Sequence, residues 1–179
     1  MPRIPYQPID LAQPEDLVKA IRARRGGTLL NLDRMLLHSP AFAKGWNSFL
    51  GAVRTELELS PRLRELAMCA VAVLNGADYE FHHHAPELIK AGGTQAQVDA
   101  LRKLKEGFAD LGPFNAEEQA TIRLTVEMTQ SVRVSNDTFA AVRSALNHDQ
   151  LAVELVGVIA TYNMVSRFLV ALGIEPEEH

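Results

Sequence analysis

The stretch Ser60–Gly93, SPRLRELAMCAVAVLNGADYEFHHHAPELIKAGG, constrains this chain more than any other. Ser60-Pro61 is a helix start: serine accepts from free backbone N–H groups, and proline at the first helical position loses no hydrogen bond. Asn75-Gly76 is a helix stop, because glycine adopts the left-handed conformation that ends many helices. Asp78 then stands near the start of a second helical segment that Gly92-Gly93 ends. Two antiparallel helices joined by this turn would carry Glu65 on one arm and Glu80, His82, His83 and His84 on the other. Such a hairpin is able to bury an acid beside an imidazole.

The same punctuation recurs along the chain. Gln13-Pro14-Glu15-Asp16 opens a helix that should stop at Gly26-Gly27, a second is expected from about Leu29 to His38, and Ser39-Pro40 starts a third to about Thr55. After the hairpin, Thr94-x-x-Gln97 is a capping box and Asn115-x-x-Glu118 repeats it. Ser135 or Asn136 opens an eighth helix, and Asn147-x-x-Gln150 is expected to open the last. No segment alternates long enough for a strand, and both flanks of Asn75-Gly76 have helical periodicity, so the fold class is all-α. No internal repeat or low-complexity segment is present. Residues 1–13 hold Pro2, Pro5 and Pro8 and are expected to form an extended arm on the body or on a neighbouring subunit, ahead of a single helical domain over 14–179.

Charge and cysteine usage narrow the partners. The 179 residues carry a net charge of -4, which argues against nucleic acid and anionic membrane, since both require a basic face. A single cysteine, Cys69, excludes an intrachain disulfide, and nothing points to secretion. No signal peptide is visible, so the expected location is cytoplasmic. The most apolar segment, Leu151–Leu172, carries Glu154, Asn163 and Arg167 and follows a capping signal, which favours a buried helix over a membrane span. One stripe holds Leu151, Leu155, Val158, Tyr162, Val165 and Leu169; Val153, Val156, Ala160 and Met164 populate another. A helix apolar nearly all round is central to a core or covered by a partner, so a homo-oligomer is expected.

Glu65 lies eleven residues before Gly76 and His84 eight after it, roughly 16 and 12 Å from the turn at helical rise. The offset is about one turn, which a glutamate side chain bridges if the helices pack side by side. That geometry permits a pair without requiring it; the plainer reading of Glu65 is an exposed charge in the first turn of a helix. The three histidines cannot share a face. Glu80 and His84 do, as do Glu80, His83 and Glu87, which form either a divalent-metal set or, as adopted here, a solvated acid–base stripe with no metal.

The stretch LSPRLRELAMCAVAVLNGADYEFHHH resembles the core motif of the carboxymuconolactone decarboxylase and alkylhydroperoxidase D-like (AhpD-like) family: a helix with a glutamate, a small turn, and a second helix with a histidine nineteen residues on. LIKAGGTQAQVDA and Tyr162-Asn163-x-x-x-Arg167 extend the resemblance, which covers roughly Leu29 to Ile174. It implies an AhpD-like bundle of about eight to nine helices around a central helical hairpin. The peroxidase branch carries Cys-x-x-Cys where this chain has Ala77 and Glu80. Disulfide-cycling peroxide reduction as that branch performs it is therefore not expected, and Cys69, set in AMCAVAV, reads as a small core residue.

The resemblance implies a lyase of the decarboxylase type, in aromatic catabolism, acting on a small carboxylated lactone or related acid. His84 would be the acid/base, Glu65 its orienter, and Glu80 a second acid/base candidate. Arg62, Arg64 and Arg167 are the cations available to an anionic substrate, with Tyr162 and His38 completing the pocket and Trp46 packing or lining it. No metal or organic cofactor is implied. The alternatives are a peroxidase-related, antioxidant protein without the cysteine pair and a non-catalytic small-ligand-binding module. Relatives lead one to expect trimers or hexamers.

Overall fold

The computed structural model describes residues 1–106 and 111–177. Among them it contains nine α-helices, one 3-10 turn and no strand. The chain divides into two compact units, residues 1–56 with 169–179, and residues 57–168.

The first unit holds α1 (Glu15–Arg24), α2 (Asn31–Leu36) and α3 (Pro40–Thr55). Helix α2 is shorter than the pattern suggested: Asp33 fixes its start at Asn31, the Leu30 N–H donating to Asp33 Oδ2 at 3.1 Å, and Leu37 closes it. Asp33 is buried and held by Arg24 and Arg25, with Arg25 Nε 3.1 Å away. Val18, Ile21, Leu32, Leu36 and Leu50 are buried, as is Trp46, whose ring meets Phe42 edge-on at 5.7 Å. The proline-rich arm is tied into this unit. The Arg3 N–H donates to Leu172 O at 2.9 Å, the Met1 ammonium pairs with Glu175, and Arg34 lies over the Tyr6 ring at 5.0 Å.

The second unit is built on α4 (Pro61–Asn75) and α5 (Asp78–Lys90), followed by α6 (Gln95–Arg102), a 3-10 turn (Leu104–Glu106), α7 (Ala116–Gln130), α8 (Asn136–Leu146) and α9, which runs from Asp149 to Leu172. Helix α4 packs mainly on α5 and α7, and α7 on α8. Every residue from Leu66 to Ala72 is buried, and four of those seven are Ala or Cys at positions 67, 69, 70 and 72, small enough for neighbouring helices to approach closely. The Leu66, Met68 and Val71 side chains supply the apolar area, at about 1.5–3 kcal/mol per large side chain.

The caps hold as the sequence implies. Ser60 accepts from Leu63 N–H, Thr94 from Gln97, Asn115 from Glu118 and Ser135 from Thr138. Gly76 adopts φ 65°, the left-handed cap that lets α4 reverse into α5. At Gly93 a Cβ would stand 2.7 Å from Leu88 O, so the α5–α6 turn closes only around glycine. A second boundary differs besides those of α2. Asn147 does not open α9; it closes α8 in the left-handed conformation at φ 49°, which Asn tolerates better than most residues. Helix α9 is instead started by His148, whose Nδ1 accepts from Gln150 N–H at 3.2 Å.

Helix α9 is, among the described residues, the one helix long and apolar enough to cross a membrane. Its Leu155, Val158, Tyr162 and Val165 stripe is buried within the protein. The second stripe is not: Val153 is 70% exposed, and Ala160 and Met164 also face outward.

Candidate active site

The hairpin register places Glu65 and His84 together. His84 Nδ1 lies 2.6 Å from Glu65 Oε2, and the other ring nitrogen, Nε2, lies 3.1 Å from Glu80 Oε2. Glu65 reaches across from α4, whereas Glu80 sits one turn before His84 on α5, where i and i+4 side chains share a face. The imidazole is thus clamped between two carboxylates. Tyr162 on α9 closes the group from a third element, its ring edge-on to His84 at 5.0 Å.

Burial differs within the cluster. The Glu80 side chain is 2% exposed and that of His84 10%, while Glu65 keeps 19%. Tyr162 is fully buried. Burial opposes a charge on His84 and is the largest single influence on it, but the Tyr162 phenol and the hydrogen bonds to Glu65 and Glu80 outweigh that effect. The imidazole's pKa is therefore held well above its usual range, with Nδ1 hydrogen-bonded to Glu65 and Nε2 in ion-pair distance of Glu80. Cys69, one turn after Glu65 on α4, is buried beside the cluster. Burial first, then the negative charges of Glu65 and Glu80, pushes its thiol far up, and Arg102 offsets only part of that. A thiol so placed is not the thiolate that peroxide chemistry needs.

The remaining sequence candidates lie elsewhere. Arg64 donates to Leu57 O at 3.1 Å beside the start of α4. Arg62 is bound to the buried Glu118 at 2.6 Å, and Glu118 also accepts from Gln97 and from Asn115 N–H, so this arginine ties three helix starts together. Arg167 donates to Asn163 Oδ1 at 2.6 Å; Asn163 itself reaches Asn75 at the end of α4 and Thr129 on α7. His38 belongs to the first unit, where Gln7 and Pro5 of the arm take its two ring nitrogens. The Glu80–His83–Glu87 set does not converge: Glu80 faces His84, His83 stacks on Tyr79 at 4.5 Å, and Glu87 pairs with Lys90. No group of three or more His, Cys, Asp or Glu among the described residues is arranged to hold a metal. Sequence reading missed that both nitrogens of His84 are engaged. The Glu80–His84 spacing carried half of that signal; the rest depends on the hairpin register.

Together these features define an all-helical protein whose central helical hairpin carries an imidazole–dicarboxylate cluster. Residues 40–116 match the carboxymuconolactone decarboxylase family model, a narrower span than the resemblance in the sequence. The fold is that of three solved structures. An uncharacterized peroxidase-related protein from Silicibacter sp. TM1040 aligns at TM-score 0.80 with 18% identity, over 98% of this chain and 94% of that one. An uncharacterized peroxidase-related protein with an alkylhydroperoxidase AhpD core, from Ralstonia eutropha JMP134, aligns at TM-score 0.82 with 19% identity, over 99% and 93%. A cysteine-to-alanine form of the debrominase Bmp8, in complex with 2,3,4-tribromopyrrole, aligns at 0.78 with 15% identity, over 99% and 94%. No curated protein matches this chain. The chain thus carries a carboxymuconolactone decarboxylase family segment within a fold shared with peroxidase-related proteins, and its single cysteine leaves it without a Cys-x-x-Cys pair.

Proposed function

We propose that this is a peroxidase-related, AhpD-like protein in which proton transfer replaces dithiol chemistry. Glu65 meets a small-molecule substrate, and His84 is the proton reservoir behind it. The observation that carries this reading is the double engagement of His84: with a carboxylate on each ring nitrogen, the more exposed Glu65 is the cluster's route to solvent. This inverts the division of labour in which His84 acts and Glu65 orients. A proton moved from His84 through Glu65 leaves a neutral imidazole whose Nε2 still faces Glu80, so the charge change stays within three residues. The brominated pyrrole held by the debrominase neighbour supports a small planar ring as the ligand size.

The family segment at residues 40–116 favours a finer reading, decarboxylation of a small carboxylated lactone. The C–C bond to the carboxylate breaks, CO2 leaves, the electron pair enters a conjugated carbonyl, and the cluster returns a proton to carbon. Self-association belongs to the same proposal. Val153, Gly157, Ala160 and Met164 recur every three or four residues on the exposed side of α9, and a second copy crossing antiparallel at Ala160 would set each Met164 over the other's Gly157. A cytoplasmic location remains part of the reading.

The test compares two reactions. Purified protein is assayed for CO2 release from 4-carboxymuconolactone and for dithiol-dependent consumption of an alkyl hydroperoxide. The expected outcome is no peroxide reduction, and small-acid turnover that Glu65→Gln lowers by about 100-fold, the usual scale for a lost acid–base group. Peroxide reduction that disappears in Cys69→Ser overturns the proposal.

A further inference from the structure

A second site lies on the flank of α5, between it and α6. The groove has a volume of about 570 Å³, within the range of small-ligand pockets. Phe81, Ile89 and Val98 form its apolar wall, and His82, Lys90 and Arg102 its basic rim; no acidic residue lines it among the described residues. In a chain of net charge -4 this is a local reversal of sign. At about 100° per residue, the groove residues of α5 centre about 150° around the helix from His84, so the groove is distinct from the cluster.

Arg102 is the informative member. Its guanidinium lies over the Phe81 ring at 4.4 Å, and no carboxylate among the described residues pairs with it. Lys90, by contrast, is paired with Glu87 at 2.6 Å. Stacking on an aromatic face occupies the plane of a guanidinium and leaves its N–H edge directed away, available to a carboxylate in bidentate geometry. Phe81 is buried to 6% exposure, so the exposed arginine rests against a packed ring. Ile89 is 39% exposed and gives a ligand body something to cover.

We propose that the α5–α6 groove binds a small apolar anion, a flat ring or short chain bearing one carboxylate, with its charge on Arg102 and its body against Ile89 and Val98. The site does not depend on the chemistry of Glu65 and His84, and it fits a substrate-holding or ligand-sensing role equally.

Benzoate is the probe, titrated into the full chain by calorimetry. Wild type is expected to bind one equivalent saturably, and neutral benzamide to bind at least about tenfold more weakly, as loss of a charge-assisted hydrogen bond implies. Arg102→Gln should weaken benzoate by about tenfold or more, and Ile89→Glu, which adds a like charge at the exposed rim, should do the same. Glu65→Gln should bind benzoate as wild type does, which separates this site from the proposed function. Absence of saturable binding, equal affinity for benzamide, or unchanged affinity in folded Arg102→Gln or Ile89→Glu overturns the proposal.

Discussion

Glu65 Oε2 stands 2.6 Å from His84 Nδ1, across nineteen residues of sequence and the turn at Gly76. The contact joins the two arms of the hairpin and works as an ion pair only while His84 is charged. Because Glu80 holds the opposite nitrogen, a neutral His84 would satisfy one carboxylate and leave the other facing a lone pair.

The charge on His84 is accordingly expected to persist through neutral pH. Nitrogen-15 NMR of the imidazole should show both ring nitrogens protonated at pH 7, with no titration near 6.5. The sign for stability follows from a folded-state pKa raised above the unfolded one. The contribution is fully present below the ordinary histidine range and is lost as pH rises through the raised value, so chemical-denaturation midpoints should fall on the alkaline side rather than between pH 5 and 7. An imidazole that titrates near 6.5 would show that burial cancels the effect of the two carboxylates.

Removing the imidazole should cost more than removing one carboxylate. His84→Ala leaves Glu80, 2% exposed, with an uncompensated charge, and breaking a buried pair this way costs about 3–5 kcal/mol. His84→Ala combined with Glu80→Gln should recover part of that loss, since the stranded charge is gone. Urea denaturation of wild type, His84→Ala, Glu80→Gln and the double variant measures the difference; a double variant as unstable as the sum of the singles would place the two residues outside one coupled group.

Much of this arrangement was legible in the chain. The Ser60-Pro61 start, the Gly76 stop and the capping boxes at Thr94 and Asn115 are local chemistry, and they fix where helices begin and end. Asn147 misled because Asn suits both a helix start and a left-handed helix end, and only the packing of α8 against its neighbours decides between them. The cluster was half visible: helical spacing pairs Glu80 with His84, but the approach of Glu65 depends on the register of two helices. The arginines were ambiguous for a related reason. Arg62, Arg64 and Arg167 look alike in sequence, and tertiary contacts with Glu118, Leu57 and Asn163 give each a structural partner.

Cys69 should be chemically silent in the folded protein. It is fully buried, and burial together with Glu65 and Glu80 raises its thiol far above the range in which thiolate forms. A thiol-reactive dye should label it only as fast as the protein opens, and labelling should become stoichiometric in denaturant. Cys69→Ala removes one buried atom from a tightly packed helix and should cost about 1 kcal/mol. Rapid labelling under native conditions would contradict the buried placement.

The Arg62–Glu118 pair provides a contrast outside the cluster. Glu118 is 2% exposed and accepts from Arg62, Gln97 and the Asn115 N–H. Glu118→Ala removes an N-terminal tether of α7 and one of the two acceptors of the Gln97 amide, for an expected loss of about 2–3 kcal/mol. Its effect should appear in the unfolding midpoint, while the nitrogen-15 signature of His84 stays as in wild type. A changed His84 signature would mean that this network supports the cluster's geometry as well as the helix starts.

Glu65→Gln separates chemistry from folding most cleanly. Glu65 is the least buried of the three charged groups, so exchanging its carboxylate for an amide costs little desolvation, and solvent screening limits the lost ion-pair energy to about 1 kcal/mol. Glutamine keeps the length and one acceptor oxygen toward His84 Nδ1, so the hairpin should remain folded. What it loses is the ability to take and give a proton, and with one carboxylate fewer, the imidazole should release its own proton at lower pH than in wild type. Turnover of whichever small acid the protein accepts should fall about 100-fold with KM little changed, because the step removed is proton transfer rather than binding. A rise in KM alone, with kcat preserved, would make Glu65 a binding group and return the acid–base role to His84.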